Sequence, residues 1–151
     1  MNFINDIQQK IIPLGKKLPS LSSWREQGEQ IVFTNGCFDI IHRGHVDYLA
    51  RAAALGNKMI IGLNTDNSIR RIKGDSRPIT DEYSRAFVLA GFAFVDAVIF
   101  FDEDTPYNLI QDIQPDILVK GSDYKEEDIV GADIVKARGG RIITMEFVPG
   151  F

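Results

Sequence analysis

The chain has 151 residues, 44% of them hydrophobic and 25% charged, with a net charge of −4. That length suits one domain with a real core, and the acidic balance excludes broad nucleic-acid binding through a basic face, though not a local cationic pocket. No apolar run is long enough to span a bilayer, Lys10, Lys16 and Lys17 interrupt any secretory leader, and Cys37 has no partner for a disulfide, so a cytoplasmic protein with neither nucleic acid nor membrane as partner is expected.

The first thirty residues read as a helical extension. Ile4, Ile7, Ile11 and Ile12 sit at helical spacing and Pro13 closes that piece. Ser20 or Ser22 then caps a short helix through Trp24 and Gln27, ended by Gly28. From Ile31 onward, apolar runs predict buried strands at 31–34, 59–64, 97–101, 117–120 and 141–147. Helical periods lie between them at 46–55, 81–91, 105–114 and 126–138. This alternation predicts an α/β fold, a single five-stranded parallel sheet with helices on both faces. No internal repeat or linker divides residues 31–151. In such sheets, ligands bind beyond the carboxyl ends of the strands, which points to the segments 36–45, 65–78 and 121–124.

Both histidines of the chain fall within four residues, His42-Arg43-Gly44-His45, directly after the first predicted strand. A strand-to-helix junction aims backbone N–H groups and a helix N-terminus at its ligand, an environment that suits phosphate. Gly36 permits a tight turn, and Gly44 lets backbone approach a ligand. His42 and His45, three apart, share one face of the nascent helix and can donate to phosphate oxygens. A metal pair is the competing reading, but no third strong ligand accompanies them. The next polar segment places Arg70, Arg71, Lys73 and Arg77 around Asp75, either a solvated loop or an anion clamp. Arg70 and Arg71 are expected to face solvent.

The segment Gly36-Cys37-Phe38-Asp39-Ile40-Ile41-His42-Arg43-Gly44-His45 resembles the G-x-F-D-x-x-H-x-G-H signature of the cytidylyltransferase-like nucleotidyltransferases. Asn64-Thr65-Asp66, the stretch Lys73 to Ile79, Asp102 to Pro106 and Val119 to Tyr124 are similar to the D-glycero-β-D-manno-heptose 1-phosphate adenylyltransferases within that family. The likeness covers roughly residues 24 to 149. It implies a Rossmann-like nucleotidyltransferase fold and transfer of AMP from ATP to a sugar 1-phosphate, releasing pyrophosphate. Transfer of CMP from CTP to glycerol 3-phosphate is the neighbouring alternative, and a non-catalytic nucleotide-binding module is the alternative of another class.

The resemblance assigns catalysis to His42, His45 and Lys73. It assigns nucleotide binding to Cys37, Phe38, Asp39, Gly44, Asn64, Asp66, Lys120 and Gly121, and acceptor or phosphate binding to Arg77, Asp123 and Arg85. Lys120 has an equal reading as a solvated strand-end lysine, and Arg85 as an ion-pair partner of Asp81. Mg²⁺ is implied as a companion of the triphosphate, without dedicated protein ligands and in the neighbourhood of Asp39. A homodimer is implied by analogy. Relatives carry a serine/threonine-rich turn after the last strand. Here the chain stops at Val148-Pro149-Gly150-Phe151, so that C-terminal element is expected to be missing.

Overall fold

A computed structural model of the chain describes residues 1–148. The elements run α1 (Phe3–Lys10), β1 (Ile11–Ile12), α2 (Leu21–Glu26), β2 (Ile31–Gly36), α3 (Arg43–Ala53), β3 (Lys58–Asn64), α4 (Asp66–Lys73) and α5 (Glu82–Ala90). They continue with β4 (Ala97–Phe101), α6 (Tyr107–Ile113), β5 (Ile117–Gly121), a 3-10 turn (Glu126–Asp128), α7 (Ala132–Ala137) and β6 (Arg141–Met145). The six strands form one parallel sheet in the order β1-β4-β3-β2-β5-β6.

Burial on both faces explains why the strands read as continuous apolar runs. Along β2, Ile31 and Phe33 point to one core with Ile60, Ile99 and Leu118, covered by α6 and α7 through Ile110, Ile113 and Val135. Val32, between them, points to the opposite core with Met59, Ile61 and Val119, covered by α3 and α5 through Leu49, Ala52, Ala86 and Leu89. At their N-terminal ends, β2 and β3 are each fastened by a carboxylate. Asp116 accepts from the Ile31 N–H at 2.9 Å, and Asp96 accepts from the Met59 N–H at 2.7 Å.

The sheet departs from the expected five strands by one. Ile11 and Ile12 do not extend the first helix; they pair with Val98 and Ile99 at the edge of β4. Ile12 packs into the α6/α7 core while Ile11 packs against the other, the two-residue alternation of a strand. Part of the N-terminal thirty residues thus lies in the sheet. Three further differences concern helices and ends. The polar segment after β3 forms a helix, α4, capped by the Thr65 hydroxyl on the Ser68 N–H. The expected helix at 126–138 is split where Gly131 adopts φ +87°. The last strand ends at Met145, not Phe147.

From β2 the chain moves outward to β3 and β4 on one side and returns to β5 and β6 on the other. The order therefore reverses beside β2, and the crevice beyond its carboxyl end is where a ligand belongs.

Candidate active site

A cleft of about 580 Å³ opens at that reversal, walled by the ends of β2, β3 and β5, the start of α3 and the end of α4. Of the residues singled out from the sequence, Cys37, Phe38, Asp39, His45 and Asn64 line it on one side, and Lys73, Lys120, Gly121 and Asp123 complete it. His42, Gly44, Asp66, Arg77 and Arg85 are not among its lining residues.

The turn between β2 and α3 is tightly built. Phe38 sits at φ +46°, a left-handed conformation that costs a residue with a side chain about 1–2 kcal/mol. Its buried ring lies edge-on to His45 at 5.7 Å between centroids. The same ring passes so close to Gly36 that a Cβ there would stand 2.9 Å from it, so any side chain at this position would have to displace the Phe38 ring.

The two histidines cap α3 reciprocally. His42 Nδ1 accepts from the Gly44 N–H at 3.0 Å, and His45 Nδ1 accepts from the His42 N–H at 3.2 Å. Their rings lie 4.1 Å apart. An Nδ1 that accepts carries no proton, so each neutral imidazole has its proton on Nε2. Burial, and then the neighbouring His42, hold the His45 pKa below the ordinary histidine value. His45 is therefore a neutral Nε2–H donor at the cleft wall near pH 7. The Gly44 amide is directed to His42.

Asp39 works as a clamp. Its carboxylate accepts from the Thr80 N–H at 2.8 Å and the Ile79 N–H at 2.9 Å, with Arg77 Nη1 at 3.3 Å. Burial alone would raise its pKa, but these backbone donors and Arg77 outweigh it and hold the carboxyl below the usual range. Arg85 is a second tie. Its buried guanidinium donates to the carbonyls of Thr80 (2.9 Å), Cys37 (2.7 Å) and Asn64 (2.9 Å) and to the Asp66 carboxylate (2.8 Å). The ion pair suggested with Asp81 does not form. The Asp81 carboxylate caps α5 on the Ser84 N–H and hydroxyl, and Asp66 takes the guanidinium.

The cations divide by their partners. Lys73, the last residue of α4, is exposed at the cleft and makes no hydrogen bond or ion pair with the described residues. Lys120 is half-buried, its Nζ 3.4 Å from both the carbonyl and the side-chain oxygen of Asn35 and 5.0 Å from the Tyr124 ring centre. Burial pulls its pKa below the ordinary lysine value, against the opposing pull of Asp123. Arg71, expected in solvent, is half-exposed and ion-paired with Asp104 at 3.2 Å and Asp102 at 3.8 Å. Arg70 remains exposed and donates to Asn67.

Several lining residues escaped the sequence reading. Tyr48 lies three residues after His45 on α3, a spacing that was there to be used. The Thr34 hydroxyl gives its one proton to the Val119 carbonyl, so Tyr48 must donate to Thr34 across 3.1 Å. Burial pushes the Tyr48 phenol up to about 12. Phe147 stacks on its ring at 4.8 Å, held there as Arg51 donates to the Glu146 carbonyl. Tyr124, from the segment 121–124 to which the sequence already pointed, and Asp104, from the stretch Asp102 to Pro106, complete the rim. The expectation that a serine/threonine-rich turn is missing after the last strand concerns a stretch outside the described residues.

Among the described residues no three His, Cys, Asp or Glu side chains group to hold a metal ion. No helix of the described residues is long and apolar enough to cross a membrane.

Comparison with known proteins agrees with this geometry. The profile of the family described as cytidylyltransferase-like matches residues 33–143. The chain is 52% identical over 141 residues to "Bifunctional protein HldE" of Methylobacillus flagellatus, covering 93% of this chain and 29% of that protein. It is 49% identical over 148 residues to the protein of the same name from Helicobacter pylori, covering 98% and 30%. The chain thus spans less than a third of these relatives. Among solved structures, a lipopolysaccharide core biosynthesis protein from Thermoplasma volcanium superposes with a TM-score of 0.69 at 29% identity, covering 80% of this chain and 99% of that one. Pantoate-beta-alanine ligase from Francisella tularensis, at TM-score 0.60 and 15% identity over 90% of this chain and 66% of its own, shares the fold. A Rossmann-like sheet, a capped histidine pair at its reversal and a matching profile agree: the chain belongs to the cytidylyltransferase-like family of nucleotidyltransferases.

Proposed function

We propose that this chain transfers AMP from ATP to a sugar 1-phosphate, D-glycero-β-D-manno-heptose 1-phosphate, giving ADP-heptose and pyrophosphate. The observation that carries the reading is the meeting of His45 with two ammonium groups, Lys73 and Lys120, around one cleft. An oxygen of the acceptor phosphate bonds to the α-phosphorus while the bond from that phosphorus to the bridging oxygen breaks. Pyrophosphate leaves with the electron pair. Such a step needs positioning and charge stabilisation and no covalent protein intermediate.

In this reading the Nε2–H of His45, with His42 beside it, donates to oxygens that gain charge as pyrophosphate departs. Lys73 lies between the two anions and offsets their repulsion. Lys120 provides a second cation at the opposite wall. Asp39 and Arg85 act on the loops: they hold residues 37–39 and 79–80 together beside the nucleotide. Magnesium enters as part of the substrate, carried by the triphosphate. The Asp39 carboxylate already serves three donors, so phosphates and water are the better ligands. A homodimer belongs to the same proposal and is checked by light scattering.

The test is pyrophosphate release with ATP, Mg²⁺ and heptose 1-phosphate, run beside CTP with glycerol 3-phosphate. Release in the first mixture and not the second is expected. The reverse assigns a cytidylyltransferase. ATP binding by calorimetry without turnover of any acceptor assigns a binding module.

A further inference from the structure

Helix α4 has little apolar burial to hold it. Of its eight residues only Ser68 and Ile69 are buried. A row of polar contacts ties it instead to the three residues that follow β4, Asp102, Glu103 and Asp104. The Thr65 hydroxyl donates to the Asp102 carboxylate at 2.5 Å. The Ser68 hydroxyl donates to the Glu103 carbonyl at 3.0 Å while accepting from the Asn64 amide at 3.1 Å. Arg71 completes the row. Its guanidinium donates to the Asp102 carbonyl and pairs with Asp104 at 3.2 Å and with the Asp102 carboxylate at 3.8 Å. Thr65, Ser68 and Arg71 are spaced by three, so one face of the helix carries all these contacts.

Lys73 stands two residues beyond Arg71, and residues two apart on a helix do not share a face. Arg71 turns to the loop, and Lys73 lines the cleft. The Lys73 side chain makes no hydrogen bond or ion pair with the described residues, so the helix fixes where its ammonium stands. Directly after it, Gly74 at φ +96° leads the chain into open space, which gives the helix end no brace on that side. Arg71 has a second effect. Asp104 lines the same cleft as Lys73, and while the guanidinium engages that carboxylate it is a poorer rival for the ammonium.

We propose that Arg71 is a positioning residue for nucleotidyl transfer: it latches α4 to the loop 102–104 and thereby holds Lys73 toward the reacting phosphates. The assignment rests on the adenylyl transfer proposed above and adds a residue that touches neither substrate. A lone exposed ion pair contributes little. Here one guanidinium bridges three acceptors at the last turn of a helix that burial hardly secures.

A cycle of variants tests it: Arg71→Ala, Lys73→Ala and the two together, with Arg71→Lys as the conservative change. Steady-state kinetics with MgATP and the sugar 1-phosphate are read beside hydrogen–deuterium exchange of the unliganded chain over residues 66–73. In Arg71→Ala, kcat is expected to fall about tenfold with both KM values within about twofold, and Arg71→Lys to lose less. On top of Lys73→Ala, removal of Arg71 should cost less than about twofold more, because the group it positions is gone. Exchange over 66–73 in Arg71→Ala should quicken about fivefold while that of α3 is unchanged. Equal losses in the two backgrounds, or a rise of about tenfold in KM for either substrate, make Arg71 an independent substrate contact and overturn the proposal. Exchange that stays as in the natural chain, a readout that needs no turnover, overturns it as well. Each of these results leaves the adenylyltransferase reading standing. Absence of turnover by the unsubstituted protein with any phosphorylated acceptor removes that reading, and the role of Arg71 with it.

Discussion

Replacing Arg85 by Met is the sharpest perturbation of the scaffold under the cleft. The guanidinium is 1% exposed and donates to three carbonyls and one carboxylate. Methionine fills similar space but donates nothing, so Thr80, Cys37 and Asn64 lose a donor and Asp66 loses its counter-charge. Breaking a buried ion pair by removing one partner costs about 3–5 kcal/mol. Each carbonyl left unpaired adds about 1 kcal/mol unless water reaches it, so we expect a loss near the upper end of that range. Against a total stability of about 5–15 kcal/mol for a domain, this is a large fraction, equivalent to about 10 °C or more in Tm at this length.

The partner residues sharpen the expectation. Asp66→Asn keeps an acceptor at a site 24% exposed and should lose about 1–2 kcal/mol. Asp81→Asn keeps the cap of α5 and touches no contact of Arg85, so its effect should stay within about 0.5 kcal/mol. Urea unfolding of the single and double variants gives the coupling directly. Arg85 and Asp66 should couple by about 1–3 kcal/mol, and Arg85 with Asp81 hardly at all. A loss below about 1 kcal/mol for Arg85→Met, or coupling to Asp81 in place of Asp66, refutes the account of the buried hub.

Three further outcomes are expected. At Phe38 the left-handed backbone favours glycine, so Phe38→Gly should be more stable than Phe38→Ala by about 1 kcal/mol in urea unfolding, although both lose the buried ring; an alanine variant equal to or better than glycine contradicts that backbone. The depressed pKa of His45 means the folded chain binds its proton less tightly than the unfolded chain. Stability is therefore full above the ordinary histidine pKa, about 6.5, and falls as pH drops from there toward the lowered value; paired unfolding curves should show this decline in the natural chain and less of it in His45→Gln. Lys73→Ala should lower kcat/KM by a factor of about 10² to 10³ and leave Tm almost unchanged, because the Lys73 side chain makes no hydrogen bond or ion pair with the described residues; a large drop in Tm would assign it a structural role instead.

The strands were legible because both faces of the sheet are covered, so Ile31-Val32-Phe33 and Ala97-Val98-Ile99 are apolar without alternation. The edge strand was not. Ile11 and Ile12 fit the helical spacing set by Ile4 and Ile7, and only pairing with Val98 and Ile99 shows that the chain straightens there. Helix α4 escaped notice because its sequence, Asp66 to Lys73, buries only Ser68 and Ile69 and draws its start from the Thr65 cap, which periodicity does not register. The histidine pair was legible from its spacing at a strand-to-helix junction, whereas Lys73 stood out through its cluster of cations and the family resemblance, with the helix that carries it unseen. The partner of Arg85 was hidden for a definite reason. Helical spacing offers Asp81, but that carboxylate faces the first turn of its own helix, and burial sends the guanidinium toward Asp66 and the loop carbonyls.

The charged groups of the site divide into those the protein satisfies and those it leaves open. Arg85 and Asp39 have their hydrogen bonds filled by the chain and so cannot respond to a ligand without loosening a loop. The Lys73 side chain has no hydrogen-bond or ion-pair partner among the described residues to give up, and His45 has its Nδ1 engaged in the cap of α3. Arg77 stands between these classes: its contact with Asp39 at 3.3 Å is half-exposed, and Asp39 keeps two backbone donors if the guanidinium swings away. An exposed pair of that kind is worth at most about 1 kcal/mol, so a phosphate could recruit Arg77 at little cost. Rigid, satisfied charges fix where the loops stand; in the proposed reaction the unsatisfied ones meet the anions, which would let phosphates bind without first undoing the fold that positions them.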